Sequence, residues 1–73
     1  MNADPSDRAS DAAQLSSVAT ALDDLTARVA ETADRLRRSR DDTVAADLDE
    51  VERSLRAASR RLATTLRTLG NRG

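Results

Sequence analysis

Acidic residues crowd one stretch of the chain: residues 41–52 hold Asp41, Asp42, Asp47, Asp49, Glu50 and Glu52, and no base. Carboxylates at that density can ligate a hard cation or share a proton in acid–base work. Their setting argues against both. A calcium loop needs a glycine at its sharp turn and a bidentate Glu at its far end, and neither is present. A di-metal site inside a helix bundle needs Glu-x-x-His pairs, and the chain has no His. No metal or other cofactor is therefore expected, and the acids read as the start of a helix whose dipole favours negative charge.

The second group able to do chemistry is basic. Residues 53–73 carry six Arg and no acid, among them Arg53, Arg56, Arg60, Arg61 and Arg67. Guanidinium groups spaced three, four and seven apart form a ridge along a helix. Such a ridge can hold nucleic-acid phosphates or an acidic protein. The whole chain, however, has a net charge of −1 and a pI near 5.3, and no Trp, Tyr or Phe offers a base a stacking surface. An acidic protein partner comes first and nucleic acid second.

Catalysis has little to work with. Without Cys there is no thiol nucleophile, and without His or Lys the Ser and Thr hydroxyls have no evident base. Glycine-rich phosphate loops are missing. The expectation is a protein that is not an enzyme and takes no small-molecule ligand.

The elements that carry these groups follow from apolar spacing. Leu15, Val18, Leu22, Leu25, Val29 and Leu36 recur at alternating steps of three and four, with Thr32 filling one place. Leu48, Val51, Leu55, Ala58, Leu62, Thr65 and Leu69 repeat the pattern, with Val44 one step ahead and Leu66 beside the end. That is the seam of an amphipathic helix, twice over. The fold class is all-α. Helix 1 is expected over about 5–39, with Asp4 as cap, Pro5 at the first helical position and Asp7 in the first turn. Helix 2 is expected over about 44–69, capped by Asp42 or Thr43 and closed by Gly70-Asn71 in the left-handed conformation. Residues 70–73 form a short tail.

A turn is expected at about residues 40–43, although no Gly or Pro lies between Ser6 and Leu69. Ser39-Arg40-Asp41-Asp42-Thr43 collects poor helix formers. The heptad also breaks there, since Leu36 and Leu48 are twelve residues apart where two heptads need fourteen. Charge order points the same way. Acids dominate residues 1–34, Arg35, Arg37, Arg38 and Arg40 follow, then come the acids of 41–52 and the Arg of 53–73. Folding back near residue 41 lays each block beside its opposite. The expected architecture is an antiparallel, coiled-coil-like two-helix hairpin forming a single domain over residues 1–73.

A hairpin this small has too little core to stand comfortably alone. Its large aliphatic set is nine Leu, four Val and Met1, beside fourteen Ala, and below about 70–80 residues one core seldom suffices. Ala12, Ala19, Ala21, Thr26 and Ala33 widen the apolar face of helix 1 beyond a narrow seam. A homodimer of hairpins forming a four-helix bundle would cover that width. The seam of Leu15, Val18, Leu22, Leu25, Val29, Leu36, Val44, Leu48, Val51, Leu55, Leu62, Leu66 and Leu69 would serve both the hairpin and the oligomer. The functional expectation is a small protein–protein interaction or oligomerisation module, an adaptor or scaffold in a bacterial complex. The alternative is a nucleic-acid-binding accessory protein using the Arg-rich outer face of helix 2.

With no apolar run of membrane-spanning length and no signal-type apolar segment, a cytoplasmic protein without membrane attachment is expected, leaderless export remaining compatible. All-Arg basic usage with abundant Ala is a high-GC bacterial coding composition, of the actinobacterial kind. That bears on origin and not on function.

Overall fold

The computed structural model describes residues 5–71, which form two helices and, among those residues, no strand. Helix α1 runs Pro5–Arg38 and helix α2 runs Asp42–Asn71. They fold back on each other along their whole length. At about 1.5 Å per residue, the 34 residues of α1 account for the 53 Å long axis of a body only 17 by 15 Å across.

The turn is shorter than the expected 40–43 and lies earlier, at residues 39–41. Arg40 adopts a left-handed backbone, with φ at 66°. The Arg40 N–H donates to the Arg37 carbonyl at 3.1 Å, and the Asp41 N–H reaches back to the Leu36 carbonyl at 2.8 Å. Those two bonds around one left-handed residue are a Schellman motif, which satisfies carbonyls that the end of α1 would otherwise leave open. The Ser39 hydroxyl also donates to the Leu36 carbonyl, at 3.0 Å. Helix α2 then starts at once, because the Asp41 carbonyl accepts the Ala45 N–H at 3.0 Å. The capping position is thus Asp41, one residue before the expected Asp42 and two before Thr43. The reversal needs no glycine because the hydrogen bonds compensate for the strained residue.

The far end differs as well. Gly70 has no positive φ, and α2 continues through it to Asn71 instead of stopping at Leu69. Glycine permits the left-handed conformation without imposing it, and a glycine inside a helix costs only about 1 kcal/mol. The expected cap at Asp4 and the tail residues 72–73 lie outside the described residues.

The two helices meet along two rows each. One is the aliphatic row of the heptad: Leu15, Leu22, Val29 and Leu36 on α1, with Leu48, Leu55, Leu62 and Leu69 on α2, all half-buried. The other is a row of smaller or polar residues: Ala12, Ala19, Thr26 and Ala33 facing Ala45, Glu52, Ser59 and Leu66. Ala33 and Ala45 are completely covered, at 0% and 1% exposure, and Thr26 nearly so. Small side chains let the helices approach closely at the turn end. The Thr26 hydroxyl donates to the Leu22 carbonyl at 2.6 Å, so its burial leaves no polar atom unsatisfied.

Candidate interaction face

On either side of this contact the hairpin presents a different surface. The row immediately after the aliphatic row is polar. Arg37 donates to Asp49 across the helices at 2.7 Å, and the Ser59 hydroxyl donates to Asp23 at 3.4 Å. Asp23, Thr26, Ala27, Arg56, Ser59 and Arg60 line a shallow groove on this side. The charge order of the sequence acts here. The Arg-rich end of α1 lies against the acidic start of α2.

The opposite side is apolar. Its residues are those immediately before the small row: Val18, Leu25 and Thr32 on α1, with Val44, Val51, Ala58 and Thr65 on α2, and only Asp11, near the open end, carries a charge in these rows. Because the Arg37–Asp49 pair joins like-placed rows of both helices, these rows share the other face. Leu25, Arg28, Val29 and Thr32 line one groove together with Leu48 of α2, which places them on that face. Val18, Leu25, Val44 and Val51 are 40–46% exposed. Among the described residues no large side chain is fully buried.

The thirteen seam residues therefore divide. Leu15, Leu22, Val29, Leu36, Leu48, Leu55, Leu62, Leu66 and Leu69 are half-buried between the helices, whereas Val18, Leu25, Val44 and Val51 point away from that contact. Sequence spacing paired the aliphatic row with the second apolar row. The folded chain pairs it with the small row instead. Glu52 and Ser59 take inward places that polar residue types concealed in the sequence. A row of residues seven apart, small in α1 and mixed in α2, was the available signal.

The five Arg of the ridge divide too. Arg53, Arg60 and Arg67 follow one another at seven-residue steps on the outer side of α2, Arg56 lies on the polar flank, and Arg61 edges the apolar face. Two are paired with acids: Arg53 with Glu50 at 2.5 Å, and Arg56 with Glu52 at 2.5 Å. Arg67 donates to the Thr64 hydroxyl at 3.2 Å. The guanidinium groups of Arg60 and Arg61 have no hydrogen-bond or ion-pair partner among the described residues, although their carbonyls accept from the Thr64 and Thr65 hydroxyls.

Of the acids considered for cation binding, Asp49 is held by Arg37 and Glu50 by Arg53. Among the described residues no three carboxylates gather in a way that could hold a metal ion. Among the same residues, no helix is long and apolar enough to cross a membrane. Compared with known proteins, the chain matches no family model, no curated protein and no solved structure.

Proposed function

We propose that this chain is a small non-enzymatic protein–protein interaction module, an adaptor or scaffold in a bacterial complex. It works by pairing hairpins into a four-helix bundle. One observation carries the reading. The hairpin encloses its row of small and polar residues and leaves the row with Val18, Leu25, Val44 and Val51 outside. Turning the larger apolar row inward would take more apolar area out of water, at about 25 cal/mol per Å², but would forgo the close approach that the small row allows. Keeping that row outward leaves its apolar area for association.

The outer apolar rows cover about 20 residues of helix, about 30 Å of the 53 Å long axis. That is roughly 500 Å² of the roughly 800 Å² each partner contributes to a stable interface, and the charged rim beside them supplies the rest. The polar flank is closed by its own ion pairs, so the two sides of the hairpin do different work.

Light scattering coupled to chromatography tests the reading, with circular dichroism followed over a dilution series. The expected result is a helical assembly of defined mass that loses helicity as it is diluted. Val51→Asp places a charge on the outer face and should abolish assembly without moving the hairpin's own contacts. A stable, fully helical monomer at micromolar concentration overturns the proposal.

The alternative, phosphate binding by the α2 ridge, rests on Arg60 and Arg61, which hold no acid. Its weakness is local: Glu50 and Glu52 neutralise Arg53 and Arg56, and Asp23 lines the same groove as Arg56 and Arg60. A mobility-shift titration at low salt is expected to show no complex at tens of micromolar protein, and a salt-sensitive shift would reverse the order of the two readings.

A further inference from the structure

We infer that the apolar face is covered by a second copy of the chain related by a two-fold axis parallel to the helices, so that α1 lies on the partner's α2 and both turns are at the same end. This rests on the self-association proposed above and adds its geometry. Asp23 meets Ser59 across the hairpin, so in an antiparallel pair residue n of α1 lies level with about residue 82 − n of α2. The two outer rows are then level to within about one residue. Val18 stands level with Thr65, Leu25 with Ala58, and Val51 with Thr32.

An axis parallel to the helices keeps every level in place and exchanges the two helices. Leu25 then meets the partner's Ala58, Val18 the partner's Thr65, and Val51 the partner's Thr32. Leu25 against Ala58 sets a large side chain on a small one, and the Val–Thr layers join side chains of similar, moderate size, so no layer brings two large side chains together. The rim matches as well. Arg35 and Asp47 are exposed, level with each other, and on opposite outer edges of the apolar face. The same two-fold brings Arg35 beside the partner's Asp47, twice per dimer. Asp47 has no partner among the described residues, and Arg35 donates only to its neighbour Thr32.

The other face-to-face arrangement, with the turns at opposite ends, stacks α1 on the partner's α1. The large outer residues span the levels from Val18 to Val44, and by the same arithmetic the middle of that span falls at about residue 28 of α1. Centring that arrangement on the face therefore sets Arg28 against the partner's Arg28, a like-charge contact that disfavours it.

Double electron–electron resonance on the full chain decides the matter. The chain has no native Cys, so Ser10→Cys, at an exposed position of α1, gives a single spin label near the open end. Parallel placement predicts no offset along the bundle and a distance below about 30 Å. The opposite placement, centred at about residue 28, separates the labels by roughly 36 residues of helix, about 54 Å along the axis. A charge-reversal cycle supplies an independent readout. Arg35→Glu should weaken the dimer by about three- to tenfold, as two exposed pairs become repulsive, and Arg35→Glu with Asp47→Arg should restore it. A dimer giving the long distance, alone or in mixture, or no rescue, overturns this geometry and leaves the proposed module standing. A monomer at these concentrations overturns both.

Discussion

Replacing Arg40 by glycine should stabilise this protein, and the sign of the effect tests the hairpin itself. Arg40 is held at φ 66°, in a region where the Cβ of an L-residue meets the following carbonyl at a cost of about 1–2 kcal/mol. Glycine occupies that region freely, but its unfolded chain has more freedom to lose, which takes back about 0.4–1 kcal/mol. The two hydrogen bonds flanking the turn are made by backbone groups and survive the change. No ion pair or side-chain hydrogen bond of Arg40 is at stake among the described residues. The net expectation for Arg40→Gly is a gain of about 1 kcal/mol, which for a domain of this size raises Tm by roughly 4–8 °C.

Thermal unfolding followed by circular dichroism at a fixed protomer concentration measures the shift, because association makes Tm concentration-dependent. Glu31→Gly is the control: Glu31 is exposed in the middle of α1, where glycine should lower stability by about 1 kcal/mol. Opposite signs at the two positions support a left-handed turn at Arg40. If Arg40→Gly lowers Tm as Glu31→Gly does, residue 40 is helical in solution, and the reasoning from a folded-back chain is wrong.

Three further outcomes follow from the contacts between the helices. Ala33→Leu forces a large side chain into a completely covered place between α1 and α2 and should cost about 1–3 kcal/mol by urea titration; an unchanged midpoint would show that the helices do not approach closely there. Leu22→Asp or Leu55→Asp puts a carboxylate into the contact between the helices and should dissolve both helicity and assembly, and retained size in either variant would mean the aliphatic row is not the core. A double-mutant cycle on Arg37 and Asp49, both about 41% exposed at the side chain, should give a coupling of about 0.2–1 kcal/mol that fades in high salt; a coupling above that range would mean the pair is shielded by something covering the polar flank.

The parts of the fold legible in the sequence were those in which one physical signal dominates. Leu15, Leu22, Val29 and Leu36, with Leu48, Leu55, Leu62 and Leu69, belong to any helical arrangement of this chain, and their spacing alone announces two helices. The charge blocks predicted the reversal, which the Arg37–Asp49 pair spans. The flank that joins the aliphatic row in the hairpin contact was not legible, because both flanks repeat every seven residues. Hydropathy favours the side with Val18 and Leu25. Close approach of two backbones favours the side with Ala12, Ala19 and Ala33, and in the folded chain it prevails. The turn was displaced for a related reason. The left-handed position falls on Arg40, a residue type that gives no such signal, while Gly70, which does, sits inside α2.

The twelve-residue step from Leu36 to Leu48 also governs what happens if the turn opens. Were residues 39–41 to become helical, the chain would be one rod, and twelve residues at about 100° each would leave its two aliphatic rows about 120° apart around the axis. Two such rods could not exchange halves and rebuild the hairpin contacts in trans without overwinding across the break. The missing two residues thus work as a guard against domain swapping. Each α1 is thereby restricted to the α2 of its own chain, and the apolar face exists only where that hairpin has formed.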